Sequence, residues 1–249
     1  MSTTHATYTD YFSVNYEQAR ARFKELSKKH QGQLWSYPIN QQSPNGDELS
    51  IDVARFGSAQ SRRCLVLSSG THGVEGFFGS AVQLALIETL LTNLLKKHEI
   101  AIVLIHAVNP YGFAHLRRVN EDNIDLNRNF MTEEDSYEGV DPQYGEMDPL
   151  LNPKTPPIDN EFFVLKAILK IIKHGFSALK NSVAQGQYEY EKGLFFGGKE
   201  GSVSKSIITQ YLPEWIQGSR QVIHLDFHTG LGKWSSYVLA ASQNIPQED

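Results

Sequence analysis

Apolar residues recur at helical spacing near the start of the chain and in strand-like runs after it. Residues 15–30 carry one apolar face, and Gly32 follows as a stop signal. The residues on that face are Tyr16, Ala19, Phe23 and Leu26. Two alternating runs, LWSYPI and LSIDVARF, then flank Asn45-Gly46, a pair suited to a tight turn. The pattern predicts an N-terminal helix and an antiparallel pair of strands at a sheet edge.

Longer apolar runs indicate strands that are covered on both faces. RCLVLSS (63–69) and IAIVLIHAV (100–108) are almost uninterrupted, and residues 75–97 between them show helical periodicity. A further strand, QVIHLDFH, follows a helix that reaches about Leu212, and a last strand is expected near YVLAAS. This alternation predicts an α/β fold: a mostly parallel mixed sheet sandwiched by helices, in a single domain spanning 1–249.

The middle of the chain has a different pattern. Residues 131–160 hold five prolines and few apolar residues, which predicts a long irregular excursion. A helix is expected after it, with one apolar face formed by Phe162, Leu165, Leu169 and Ile172.

The charge and composition of the chain argue against some classes of binding partner and some cellular locations. The net charge is −5, so no basic surface for nucleic acid is expected. The N-terminus lacks the pattern of a secretory signal and the apolar segments are too short for a bilayer, so we expect neither export nor a membrane span. The single cysteine, Cys64, is expected in the core. These features together favour a cytoplasmic protein.

Polar residues of unusual type follow three of the predicted strands. His72 and Glu75 come after the strand that ends at Ser69, and His228 ends the strand that starts at Gln221. Ligands collect beyond the carboxyl ends of parallel strands. Two histidines and one carboxylate are a known ligand set for catalytic zinc, with a fourth position left for water. The alternative interpretation is that Glu75 only favours a helix N-terminus.

Three motifs in order carry a family resemblance: THGVE, DLNRNF and DFHTG. The chain resembles the zinc carboxypeptidase superfamily, which includes carboxypeptidase A and the aspartoacylase and succinylglutamate desuccinylase branch. Two further segments, NPYGFAHLRRVN and GLFFGGKE, are similar to those of a bacterial subgroup of metallopeptidase-like proteins. The resemblance implies that His72, Glu75 and His228 bind one zinc ion. It also implies that Asp125 orients the His72 ring.

The resemblance further implies a substrate with a free carboxylate. Asn127 and Arg128 match the pair that grips this group, for which the planar fork of arginine is suited. Arg118 matches the arginine that polarises the scissile carbonyl, with Arg117 as the rival one position away. Strand alternation places Asp226 on the same face as His228, so Asp226 is expected to orient it.

Other residues have simpler interpretations. His106 lies inside an apolar strand and is expected to be a hydrogen-bonded core histidine. His224 shares a face with His228 but lies too deep for a metal ligand. Tyr237 is interpreted as a strand aromatic.

The sequence departs from the family pattern at one catalytic position. The family's general-base glutamate comes from a late strand, several tens of residues beyond the third ligand, and has no match before Asp249. Three hypotheses follow: a chain without the late strands, substitution by another acid such as Glu121, or binding without turnover. A sheet edge exposed in this way predicts a homodimer.

The leading hypothesis is a zinc-dependent hydrolase that cleaves an amide bond next to a free carboxylate. Peptide C-termini are the first substrate class, and N-acyl amino acids are the alternative within the same fold. A metal- and carboxylate-binding protein without catalysis is a hypothesis of another class, favoured by the missing glutamate, and a structural domain without metal is the third. Nickel, cobalt or manganese also suit a His, His, Glu site.

Overall fold

The computed structural model describes residues 8–132, 135–156, 162–230 and 232–240. Its sheet has five strands in the described residues, in the order β1-β2-β4-β3-β5. Their bounds are β1 Gln33–Gln42, β2 Glu48–Phe56, β3 Arg63–Ser69, β4 Ala101–His106 and β5 Gln221–Phe227. β2 is antiparallel to β1 and β4, whereas β3 is parallel to β4 and β5. The predicted α/β class with a mixed sheet is confirmed, and only β2 runs against the other strands.

Eight α-helices accompany the sheet in the described part of the chain. They are α1 Tyr16–Lys29, α2 Gly76–Ala85, α3 Leu91–His98, α4 Pro110–Ala114, α5 Pro142–Leu151, α6 Phe163–His174, α7 Phe176–Ala184 and α8 Val203–Ile216. A π-helical turn, Leu86–Leu90, joins α2 to α3. The predicted N-terminal helix is confirmed, and the Asn15 side chain caps it by accepting from the Gln18 N–H.

Helices cover both faces of the sheet because the central strand is apolar on both sides. Ala101, Val103 and Ile105 of β4 face a core that includes Trp215 of α8. Ile102 and Leu104 face the opposite core, to which α1 and α2 contribute. Every residue of β4 is buried, as the uninterrupted run predicted. The β1–β2 pairing is also confirmed, with Gly46 at φ 86° in the turn between the strands.

One helical stretch, Gly73–His98, is long and apolar enough to cross a membrane when judged by length and composition alone. In this structure its side chains Ala81, Leu84, Ile87 and Leu91 are buried against the sheet. The absence of a membrane span therefore stays a prediction.

Two predicted elements differ from the structure, and a third, helix α6, is confirmed with its apolar face exposed. The excursion at 131–160 contains helix α5, because Asp141 caps it and Pro142 occupies the first turn, where proline is tolerated; residues 133, 134 and 157–160 lie outside the described residues. The apolar face of α6 is present but exposed, since none of its side chains is buried. No strand forms at 237–240, where the chain lies exposed, and 241–242 are outside the described residues.

Candidate metal centre

The three predicted ligands meet at one end of neighbouring strands. β3 and β5 pair in parallel register, with Ser69 opposite Phe227, so the chain leaves both strands side by side. His72 and Glu75 follow β3 on a short 3-10 turn that leads into α2, and His228 follows directly after β5. Strand pairing alone therefore brings residues some 150 positions apart in sequence into contact.

The turn that carries His72 and Glu75 is fixed by a second backbone. A Cβ on Gly73 would lie 2.1 Å from the carbonyl carbon of Gly112, so the two main chains touch at this point. The Gly73 N–H donates to the Arg118 carbonyl at 3.1 Å, and the Val74 N–H donates to the Arg117 carbonyl at 3.0 Å. The turn of the first two ligands and the loop of Arg118 thus form one packed unit.

The ligand atoms lie at the spacing of a coordination shell. Nδ1 of His72 is 3.2 Å from Oε1 of Glu75, and Nδ1 of His228 is 3.2 Å from both Nδ1 of His72 and Oε2 of Glu75. Ligands about 2.0–2.1 Å from a tetrahedral ion are separated by roughly 3.3 Å. One ion of this size therefore fits between the three side chains without a change in their arrangement.

A carboxylate stands behind each imidazole. Nε2 of His72 lies 3.3 Å from Oδ1 of Asp125, and Nε2 of His228 lies 2.7 Å from Oδ2 of Asp226. Each carboxylate favours the tautomer with the proton on Nε2, which leaves both Nδ1 atoms as acceptors beside the Glu75 carboxylate. Three acceptor atoms at contact distance require a cation or a proton between them.

The pKa values of His228, His72 and Glu75 are shifted by the charges of these neighbouring side chains. Hydrogen bonds with Asp226 and Glu75 raise the pKa of His228 to about 9. Burial lowers the pKa of His72, but Asp125 and Glu75 outweigh burial and the net shift is upward. Burial raises the pKa of Glu75, yet hydrogen bonds from His228, His72 and the Thr229 N–H lower it to about 2. The cluster therefore stabilises positive charge at its centre.

Arg118 adjoins the cluster through Asp125. Its Nε and one terminal nitrogen both lie 3.0 Å from Oδ2 of Asp125, whose side chain is completely buried. The ring of Phe195 lies under the guanidinium, with its centroid 5.1 Å from Cζ. Asp125 thus contacts the ring of His72 with one oxygen and Arg118 with the other. Arg117, the rival, is exposed.

The expected carboxylate-binding pair lies on the 3-10 turn Leu126–Arg128, just after Asp125. Asn127 is exposed. Arg128 donates to the backbone carbonyls of Asn127 at 2.9 Å and Ala184 at 2.5 Å. The structure brings both residues next to Asp125, and their grip on a substrate stays a prediction.

Sequence reasoning missed two residues that shape this region. Asn129 is fully buried, and its side chain donates to the carbonyls of Gly197 and Glu200 and accepts from the Ser202 N–H. It thereby fastens the GLFFGGKE segment beside the site. Phe195 in that segment has a φ of 55°, a strained value for a residue with a side chain. An asparagine or phenylalanine alone gives no sequence signal for either role.

The remaining candidates lie as follows. His106 is fully buried and contacts the Ser80 hydroxyl at 3.0 Å, which fits the expected core histidine. Cys64 is buried, as expected. Glu121 is partly buried, and burial raises the pKa of its carboxyl. Tyr237 is exposed and lies in no strand, contrary to the interpretation as a strand aromatic.

Comparison with known proteins returned one family. A family model described as "Protein of unknown function (DUF2817)" matches residues 12–248. No curated protein matches the sequence.

Among solved structures, carboxypeptidases align with this chain at low identity. Carboxypeptidase A from Helicoverpa armigera is 16% identical with a TM-score of 0.47, and the alignment covers 92% of this chain and 49% of that one. Bovine thrombin-activatable fibrinolysis inhibitor is 12% identical with a TM-score of 0.45, covering 90% of this chain and 62% of that one. A metallo-carboxypeptidase from Burkholderia cenocepacia is 16% identical with a TM-score of 0.37, covering 49% of this chain and 34% of that one.

The chain spans about half of the Helicoverpa protein and less than two thirds of the other two. The alignments are too distant to assign a function, which has to come from the side chains of the site.

Proposed function

The chain belongs to the DUF2817 family of proteins of unknown function, and we propose that it is a metal-dependent hydrolase of the carboxypeptidase type. In this proposal His72, Glu75 and His228 hold one divalent ion, zinc in the first place, and the substrate is an amide next to a free carboxylate. The observation that carries it is the three ligand atoms within 4.8 Å of one another, with a carboxylate oxygen next to Nε2 of each imidazole.

The donor set suits the proposed ion. Two imidazole nitrogens and one carboxylate oxygen are the ligands of open catalytic zinc sites, which keep a further position for water or substrate. The His228 side chain is 33% exposed while His72 is 7% exposed, so the centre opens to solvent on the His228 side. Such an ion supplies a Lewis acid that polarises a carbonyl and activates water at neutral pH.

Arg118 is proposed to stabilise the negative charge that develops on the scissile carbonyl oxygen. Its side chain is 39% exposed, and the contacts with Asp125 use Nε and one terminal nitrogen. Asp125 and the Phe195 ring fix the plane of the guanidinium in advance, so its donors need no reorganisation during the reaction. Because the Asp125 carboxylate contacts both His72 and Arg118, these two side chains keep a fixed position relative to each other.

Recognition of the substrate carboxylate is assigned to Asn127 and Arg128. A guanidinium binds a carboxylate in a planar, bidentate manner, and Asn127 offers an exposed amide beside it. Peptide C-termini are the first substrate class, and N-acyl amino acids are the alternative. Among the described residues no hydrogen bond or ion pair joins Glu121 to the cluster, so substitution of the missing general base by Glu121 stays one of the three hypotheses; burial raises the pKa of its carboxyl.

A second candidate, binding of metal and carboxylate without turnover, is favoured by one observation. Among the described residues, the carboxylates in contact with the cluster are Glu75, Asp125 and Asp226, and each of them holds an imidazole. None of these three is left to take a proton from water.

Elemental analysis of the purified protein tests the metal centre first. We expect about one equivalent of a divalent transition metal, which His72→Ala and His228→Ala lose. His98→Ala is the matched control, because His98 is exposed and distant in sequence from the ligands. Equal metal content in all four proteins, or none in the unmodified chain after exposure to zinc, would reject the centre.

Activity is then measured on the zinc-loaded protein with peptides and N-acyl amino acids. Release of a C-terminal residue supports the carboxypeptidase reaction, and release of an acyl group supports the deacylase. Metal binding without release from either panel rejects catalysis and leaves the binding function.

A further inference from the structure

A chain of hydrogen bonds leads away from the metal centre between β3 and β5. His228 Nε2 contacts Oδ2 of Asp226 at 2.7 Å. The other oxygen of Asp226, Oδ1, accepts from the Ser68 hydroxyl at 2.6 Å. Ser68 Oγ in turn lies 2.7 Å from Nε2 of His224. The parallel register produces this arrangement, because Ser68 lies opposite Asp226, His224 and Asp226 share one face of β5, and His228 follows directly after the strand.

The direction of the protons in this chain is fixed by a count of donors. The Ser68 hydroxyl has one proton, and a carboxylate can only accept, so that proton goes to Asp226. Ser68 Oγ must then accept from His224, whose Nε2 carries a proton. Nε2 of His228 contacts the other oxygen of Asp226, and Nδ1 of His228 faces Nδ1 of His72 and Oε2 of Glu75.

His228 needs such support because the sheet does not hold it. β5 ends at Phe227, so His228 lies just beyond the last residue of the strand. Its ring is oriented by side-chain contacts, and Asp226 is the carboxylate behind it. Asp226 itself is 25% exposed, whereas Ser68 beneath it is 1% exposed. The Ser68 hydroxyl therefore contacts Asp226 from the buried side.

We propose that Ser68 is a positioning residue of the metal centre: it fixes Asp226, which fixes the ring of His228 with Nδ1 toward the ion, and His224 directs the Ser68 hydroxyl. The inference rests on the proposed metal-binding function. It assigns roles to Ser68 and His224, which touch neither the ion nor a substrate.

The test measures zinc affinity of the full chain by competition with a chromophoric chelator. We expect Ser68→Ala to weaken affinity roughly tenfold, the lower end of the range for partners of metal ligands, because Ser68 acts on His228 only through Asp226. Ser69→Ala is the matched control: Ser69 is buried next along β3, but its hydroxyl faces Gln83 instead of Asp226. Ser69→Ala should leave zinc affinity within twofold.

Two further variants separate positioning from a general loss of structure. Ser68→Ala in an Asp226→Ala background should change affinity less than twofold, because Ser68 acts through Asp226. His224→Gln, which keeps a donor, should retain affinity better than His224→Phe. Unchanged affinity in Ser68→Ala, or additive effects of Ser68→Ala and Asp226→Ala, would overturn the inference while the metal centre stands. Failure of the unmodified chain to bind zinc would overturn both.

Discussion

At the scale of single residues, two asparagines of the DLNRNF motif have opposite surroundings. Asn129 is fully buried and makes three hydrogen bonds to backbone groups of 197–202, whereas Asn127 is exposed. We predict that Asn129→Ala lowers the free energy of unfolding by about 2–4 kcal/mol, because buried backbone groups lose their partners. Asn127→Ala should lower it by less than about 0.5 kcal/mol. Chemical denaturation measures both, and equal values would contradict the assigned roles.

The two neighbouring arginines give a second prediction. Arg118 contacts Asp125 and lies over Phe195, and Arg117 is exposed. If the hydrolase proposal holds, Arg118→Ala should lower kcat roughly 10²- to 10³-fold, because a donor to the developing oxyanion is lost. Arg117→Ala should change kcat less than about threefold by the same reasoning. Steady-state kinetics on the best substrate of the panel measures both values of kcat. A larger loss of kcat in Arg117→Ala than in Arg118→Ala would assign the oxyanion role to Arg117 instead.

The convergence of the three proposed ligands could be predicted from sequence because their chemistry is rare and their position is set by strand ends. His72, Glu75 and His228 combine metal-binding side chains with locations just after predicted strands. Ser68 and Asn129 could not be predicted, because a serine in a strand or an asparagine in a loop has many ordinary uses. Their roles depend on which backbone lies opposite, and that is decided by tertiary packing.

At the scale of elements, the core strand β4 carries a titratable group. His106 is fully buried, stacks on Phe23 and contacts Ser80, and burial lowers its pKa to about 4 from an ordinary value of 6.5. The unfolded chain therefore binds a proton more readily than the folded chain. The stability that neutral His106 contributes is fully present above pH 6.5 and is lost as the pH falls toward 4.

This predicts a measurable slope of stability with pH. The unmodified chain should lose roughly 2–3 kcal/mol of unfolding free energy between pH 7 and pH 4 through His106 alone. His106→Asn removes the titration, so its loss over the same interval should be smaller by that amount, whatever its stability at pH 7. Urea denaturation at both pH values tests this, and identical losses in the two proteins would refute it.

Elements with a complete local signal were predicted correctly, and those without one were not. α1 has a capping residue, a periodic apolar face and a stop, and β1 and β2 flank a turn that suits Gly46. Helix α5 escaped prediction because its prolines were interpreted as breakers, although one of them stands in the first turn. The expected strand at 237–240 has the composition of a strand, but strand formation requires a neighbour to pair with.

At the scale of the whole molecule, β5 stands at the edge of the sheet. Among the described residues no strand pairs with its outer side, and Val222, Ile223 and Leu225 are 42%, 63% and 38% exposed. An apolar edge strand with free backbone groups is a template for pairing with another copy. We therefore predict that the protein dimerises at micromolar concentration.

Light scattering coupled to size exclusion measures the association. Ile223→Lys should shift the protein toward monomer, because a charge on an edge strand opposes pairing. Val14→Lys is the control, since Val14 is 81% exposed, lies outside the sheet and receives the same charge. A strictly monomeric unmodified chain would refute the prediction.

The contact between Gly73 and Gly112 limits how this scaffold can diversify. Any side chain at Gly73 would collide with the opposite main chain, so the loop of Arg118 and the turn of the first two ligands cannot be reshaped separately. The segment around Phe195 is held in another way, by three side-chain hydrogen bonds of Asn129. Variants of this scaffold are therefore expected to keep the Gly73 wall of the candidate site constant, since a change in either main chain displaces the other.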